Sequence, residues 1–232
     1  MQKNFKIEKK IAEKIGENLI LKKNLRTFFF AKNCGYSAGN NFLATRARGE
    51  FLAILNPDIF LPEKNSLQKI LDFLEKNPEI GILGPAQFSE KNGRRESTAR
   101  RFPRISTQIA RRTFLRKIPF FRKKIAADKY ENLDFSATQN VDWLQSSCIF
   151  LRKNFFFECG GFDEKFFLFL ADTALCAAAK NRGKKIIFFP AAKIFGDGIR
   201  CSRGGAFDFF RQKNLRIHFF DALKFFFRRK KF

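Results

Sequence analysis

NCGYSAGNNFLATRARGEFLAILNPD, residues 33–58, falls into three parts. Gly35, Tyr36, Ser37, Ala38 and Gly39 read as a small-residue turn. Residues 40–48 read as a short helix, with Phe42, Leu43 and Ala47 on its apolar side. Residues 50–55 are a compact apolar run between Gly49 and Asn56-Pro57, the pattern of a strand buried in a parallel sheet. Pro57 cannot continue a central strand, so this one stops at Leu55 or Asn56. Asp58 is thereby presented at the carboxyl end of a strand, which is where open α/β sheets bind ligands.

Working outward, strand and helix patterns alternate, as an α/β fold requires. Residues 3–17 have helical spacing, and residues 19–21 and 27–31 are short strand candidates. Asn65-Ser66 opens a helix that ends before Pro78, with Leu67, Ile70, Leu71 and Leu74 as its core face. Residues 80–83 read as a strand, Gly84-Pro85 as a turn and residues 90–93 as a hairpin turn. Residues 94–124 are dense in Arg and Lys and read as a solvated, mobile surface segment in preference to a lid or lipid-facing arm. Residues 141–152 read as one core strand, and residues 154–159 as a short helix ended by Gly160-Gly161. Residues 171–182 are helical, and residues 186–189 form a buried strand ended by Pro190. The tail, residues 206–232, is basic and aromatic, with Leu215, Phe219, Ala222, Leu223 and Phe226 on one helical face. That composition suits a helix lying on anionic lipid or one docked on the domain with a solvated basic end.

The 232 residues are enough for one domain with a real core, and 45% hydrophobic against 29% charged content excludes a disordered chain. Five cysteines, Cys34, Cys148, Cys159, Cys176 and Cys201, are scattered without a CxxC pair. They signal neither a disulfide framework nor a zinc site, and a reducing cytosol is the simplest location. The net charge of +24 favours polyanionic partners: phosphorylated substrates, anionic lipid or nucleic acid. The first residues show no secretory signal, and no apolar run approaches the ~20 residues that cross a bilayer.

Several short motifs in order carry a family resemblance. Asn33-x-Gly35-Tyr36-Ser37-x-Gly39-Asn40-Asn41, Gly49-Glu50 and Leu55-Asn56-Pro57-Asp58 are followed by Val141-Asp142-Trp143-Leu144, Gly160-Gly161-Phe162-Asp163-Glu164 and the stretch from Asp172 to Pro190. Together they resemble glycosyltransferase family 2, in its rhamnosyltransferase-like branch. The resemblance implies the GT-A fold, a Rossmann-like α/β architecture with a mixed, mostly parallel sheet flanked by helices. By that resemblance the chain is expected to be N-terminally truncated, lacking the family's first strand–helix–strand unit, and to carry a basic amphipathic C-terminal helix. The resemblance places the transferase domain at residues 1–205 and the helix at residues 206–232.

The resemblance also assigns roles. The activity is inverting transfer of a sugar from a nucleotide-diphosphate donor to a hydroxyl of a polysaccharide or lipid-linked glycan. Such chemistry needs positive charge on the departing diphosphate and a base for the acceptor hydroxyl. Asp58 would hold a divalent metal, Mg or Mn, which prefer carboxylate oxygen. Asp172 would be the catalytic base. Gly35, Tyr36, Gly39, Asn40, Asn41 and Asn56 would meet the donor, and Asp142 and Trp143 the acceptor. The setting would be cytoplasmic, on the inner face of the membrane.

This chain departs from the family pattern in several places. Ala171 and Ala174 replace acidic residues, Ser146 replaces a glycine, and Cys176-Ala177-Ala178-Ala179 replaces Arg or other polar residues. The two histidines with which the family can contact metal or phosphate are missing at Gly196-Asp197, where Asp197 could replace them in part with a metal between it and the diphosphate. His218, the single histidine, has no catalytic partner in the sequence and reads as structural. Two alternatives follow: a degenerate, catalytically silent binding module, or a protein that binds nucleic acid through charge alone.

Overall fold

The computed structural model describes residues 26–63, 65–130, 134–197 and 213–228. Contacts divide the chain into residues 1–34 and residues 35–232. Residues 26–34 of the first unit contain neither helix nor strand, so the strand expected at 27–31 does not form. The helix expected at 3–17 and the strand at 19–21 lie outside the described residues.

The second unit opens with α1 (Gly35–Arg46). The turn and the helix expected separately are thus one helix. Gly35 starts it at φ +84°, a region that glycine enters freely. The Tyr36 N–H donates to the Phe167 carbonyl at 2.7 Å, and the Ser37 hydroxyl to the Phe166 carbonyl at 2.5 Å. β1 (Phe51–Leu55) follows, then α2 (Ser66–Lys76), whose Ile70 and Leu74 are fully buried while Leu67 faces out. β2 (Ile80–Ser89) runs on through Gly84-Pro85, where a turn is expected, because Pro85 falls at a register shift on its partner strand; the hairpin turn follows, with Gly93 at φ +64°, as expected.

Residues 94–124 expose Arg101, Arg104, Arg116, Lys117, Arg122 and Lys123, as a solvated segment would, but they carry regular structure. They form β3 (Ala99–Arg100), α3 (Ile105–Arg112), a 3₁₀ turn (Phe114–Lys117) and the start of α4 (Pro119–Asp128). β4 (Gln139–Asn140) comes next. The single strand expected at 141–152 is two, β5 (Trp143–Leu144) and β6 (Cys148–Arg152), because a polar turn at residues 145–147 separates them. α5 (Lys153–Glu158), α6 (Ala171–Asn181), β7 (Lys185–Gly196) and α7 (Lys213–Arg228) complete the order.

The main sheet has the order β1-β6-β2-β7-β4. Only β2 and β7 pair in parallel; β1 with β6, β6 with β2, and β7 with β4 are antiparallel. The sheet is mixed, as expected, but its pairings are mostly antiparallel rather than mostly parallel. β1, β2 and β7 share one direction, but the reversed β6 between β1 and β2 leaves a single parallel pairing. Adjacent residues on the central strands point to opposite faces. Ile82, Ile149, Leu151 and Phe188 join one core cluster, and Leu83, Phe150, Ile187 and Phe189 the other. β1 is not buried on both faces, since Leu55 is 43% exposed.

β7 does not stop at Pro190. Its register on β2 jumps from Pro85↔Phe189 to Ala86↔Lys193. Pro190 lacks a donor for the ladder and sits on this bulge, where none is needed. The strand then runs on to Gly196 and delivers Asp197 beside Asp58.

Candidate active site

The site is built on the turn at residues 145–147. Ser146 faces one way: its backbone N–H donates to Asp172 Oδ2 at 3.1 Å and its hydroxyl lies 3.4 Å from the same oxygen. Ser147 faces the other: its hydroxyl donates to Gln87 Oε1 at 2.7 Å, and its carbonyl accepts the Asn56 N–H at 2.8 Å. Asn56 leads through Pro57 to Asp58. Gln87 and Asp58 both close on Gly196. A Cβ there would lie 2.8 Å from Gln87 Nε2 and 3.5 Å from Asp58 Oδ2. A single turn therefore joins the Asp58 and Asp172 sides of the site through named hydrogen bonds.

Asp172 lies in the first turn of α6, where the helix dipole favours an anion. Its Oδ1 accepts the Thr173 N–H at 2.7 Å and lies 3.3 Å from the Thr173 hydroxyl. Burial nevertheless raises its pKa above the usual carboxylate range. The bonds from Ser146 and Thr173 and the field of Arg100 oppose that shift without cancelling it. A carboxylate tuned upward in this way is a better proton acceptor near neutral pH. Leu170, just before the helix, sits at φ +64°, a strained conformation for a branched residue.

Asp58 is half-buried and rests against Asp197. Burial, then the charge of Asp197, raises its pKa. Two carboxylates in contact repel unless a proton or a cation lies between them. This oxygen pair suits Mg or Mn, which one or two carboxylates hold together with substrate phosphates. Among the described residues no group of three or more His, Cys, Asp or Glu is arranged to hold a metal.

The other expected contacts are distributed differently. Tyr36 donates its hydroxyl to the Ser146 carbonyl at 3.0 Å, and burial holds its pKa far above neutral. It braces the turn. A Cβ on Gly35 would lie 2.7 Å from the Phe167 carbonyl, so no ligand approaches the backbone from that side. Gly39 lies within α1, and Asn40 Nδ2 donates within it to the Tyr36 carbonyl at 2.9 Å. Asn41 grips Phe162 twice, giving Nδ2 to its carbonyl at 2.8 Å and accepting its N–H at 2.9 Å; Nδ2 also reaches Glu164 at 3.0 Å. Both Asp142 oxygens are engaged, one by the Phe102 N–H at 3.0 Å and one by Lys180 at 3.2 Å. Trp143 donates its indole N–H to the Arg101 carbonyl at 2.9 Å, with Arg100 5.9 Å from its ring centre. Of the expected residues, Asn56, Tyr36 and Asp172 bond to the turn, while Asp58, two residues after Asn56, lies against Asp197. Asn41 and Asp142 are committed to holding other segments. Gln87, Ser147 and Arg100 belong to the site and went unassigned from sequence.

A family model described as "Glycosyl transferase family 2" matches residues 8–140, more than half of the 232. That range includes Asp58 and ends before Asp172. An N-acetylglucosaminyl-diphospho-decaprenol L-rhamnosyltransferase of Mycobacterium tuberculosis is 27% identical over 149 residues, which are 62% of this chain and 46% of the relative. The O-antigen biosynthesis protein RfbC of Myxococcus xanthus is 26% identical over 159 residues, 66% of this chain and 11% of that protein. The chain thus spans less than half the length of these curated relatives. A crystal structure of GalNAc-T7 with UDP, GalNAc and Mn2+ aligns at a TM-score of 0.52 and 14% identity, covering 80% of this chain and 35% of that one. That likeness is one of fold: the mixed sheet and its helices are the GT-A α/β arrangement.

Proposed function

The chain belongs to glycosyl transferase family 2, and on that premise we propose that it transfers a sugar, with inversion, from a nucleotide-diphosphate donor to a hydroxyl of a polysaccharide or lipid-linked glycan. The observation that carries the reading is the turn at residues 145–147, which ties an ionisable base, Asp172, to an oxygen-donor pair, Asp58 and Asp197. The acceptor hydroxyl gives its proton to Asp172 while its oxygen attacks the anomeric carbon. The bond to the diphosphate breaks in the same displacement, and the configuration inverts. Asp58 and Asp197 would hold a divalent metal, which when bound supplies Lewis-acid stabilisation to the leaving diphosphate. Asn56, whose side chain has no protein partner among the described residues, is free to orient the donor. Ser146 and Tyr36 fix the turn and hence the direction in which Asp172 points.

The likeness to a rhamnosyltransferase supports a deoxyhexose donor and a lipid-linked acceptor. A second reading, a binding module without turnover, is favoured by Ala171 and Ala174 beside Asp172. Release of nucleoside diphosphate from a panel of nucleotide sugars with Mn2+ and a lipid-linked glycan separates the two. Transfer with an inverted anomeric linkage, read by NMR, supports the enzyme. Donor binding by calorimetry without any product supports the silent module.

A further inference from the structure

Helix α7 has two apolar faces. Phe225 and Asp221, four residues apart, are buried, and Asp221 Oδ2 accepts the Leu168 and Phe169 N–H groups at 3.3 and 3.1 Å. That face fixes the helix to the domain. Phe219, Leu223 and Phe227 repeat the same spacing on another face and are exposed, Phe227 by 83%. Helix α3 is arranged alike. Thr107 and Ala110 are buried, while Ile105 and Ile109 are just over half exposed. The two exposed stripes line one groove of about 450 Å³. Contiguous apolar surface of this kind marks an interaction site more often than chance exposure.

The surroundings of the groove are cationic. Between Glu96 and Asp128 the chain has ten Lys and Arg and no acidic residue. α3, the 3₁₀ turn and α4 pack on one another, and their Arg104, Arg116, Lys117, Arg122 and Lys123 are exposed. Helix α7 adds the exposed Arg216 and Lys224. No helix among the described residues is long and apolar enough to cross a membrane.

We propose that this face docks on the surface of an anionic lipid bilayer. The stripes of α3 and α7 enter the boundary between headgroups and acyl chains, and the flanking Arg and Lys meet lipid phosphates. Each half of the surface argues against another occupant. Single-stranded nucleic acid could stack on the phenyl rings but gains nothing from Ile105, Ile109 and Leu223 in the same groove, and an apolar partner protein has no use for the cations. The inference does not depend on the transferase reading, and its test does not use activity.

The full chain is sedimented with vesicles of phosphatidylcholine alone and of equal parts phosphatidylcholine and phosphatidylglycerol. Binding is expected to the anionic vesicles. The Leu223→Glu/Phe227→Glu variant lowers it by about tenfold or more, as does Arg116→Glu/Lys117→Glu. All four side chains are exposed, and unchanged melting curves establish that the variants fold. The proposal is overturned by equal binding to both vesicle types, or by unaltered vesicle binding in either variant. It is also overturned by light scattering that shows a dimer which Leu223→Glu/Phe227→Glu splits, since a second copy then covers the face. Loss of single-stranded DNA binding in the charge variant, with vesicle binding intact, overturns it in favour of nucleic acid.

Discussion

Asp172 accepts bonds from its own helix and from Ser146, yet burial still lifts its pKa above the ordinary carboxylate range. The folded state then binds its proton more tightly than the unfolded chain does. Its contribution to stability is present below the unfolded value, about 4, and is lost as pH rises through the folded value. The melting temperature of Asp172→Asn relative to wild type is therefore expected to rise as pH goes from acid to neutral, although Asn leaves one of the two backbone N–H donors unpaired at any pH. The same change should lower kcat by about 10²–10⁴-fold, the usual worth of a general base. In wild type, kcat should rise with pH through the same raised pKa, because the base works only when ionised. Ser147→Ala removes the partner of Gln87 Oε1 in a buried setting and should cost about 1–3 kcal/mol in denaturant unfolding. At this scale the sequence was legible where chain geometry delivers a residue: Asp58 after a proline-stopped strand, Asp172 at a helix start. Gln87 gave no signal, because one polar residue in an apolar run has no period to betray its partner.

The elements show where local patterns are enough and where neighbours decide. α2, α5 and α6 form close to the expected bounds, since apolar spacing with a following proline (α2) or terminal glycines (α5 and α6) specifies them locally. β7 does not, because Pro190 ends a strand only if its missing donor is needed, and the bulge against β2 removes the need. The split of residues 141–152 was hidden for a similar reason: the turn at 145–147 exists to bond Asp172, Gln87 and Asn56, which come from three distant segments. At the start of α1, Gly35→Ala would place a Cβ 2.7 Å from the Phe167 carbonyl at φ +84°. It should cost about 2 kcal/mol or more of thermal stability and lower activity by shifting residues 166–172.

Across the whole molecule, the sheet carries the site at one end of its central strands. β1 leads to Asp58, β7 to Asp197, and β6 begins just after the turn that holds Asp172. The expected α/β class and its mixed sheet follow from alternating patterns. The order of strands, with β6 reversed beside β1, does not, because pairing across long sequence separations leaves no local mark. Mn2+ with a nucleoside diphosphate should raise the melting temperature with the logarithm of ligand concentration, a stabilisation of about 2.7 kcal/mol at a hundred times the dissociation constant. Asp58→Ala and Asp197→Ala should each abolish that rise, as read by calorimetry.

The most direct test of the account compares Mn2+-dependent nucleotide-sugar turnover in wild type, Asp58→Ala and Asp172→Ala, with Mn2+ affinity measured alongside by electron paramagnetic resonance. Both variants should fall to background turnover, Asp58→Ala with weakened Mn2+ binding and Asp172→Ala with Mn2+ binding retained. Equal turnover in all three proteins would contradict a shared site built on these two aspartates.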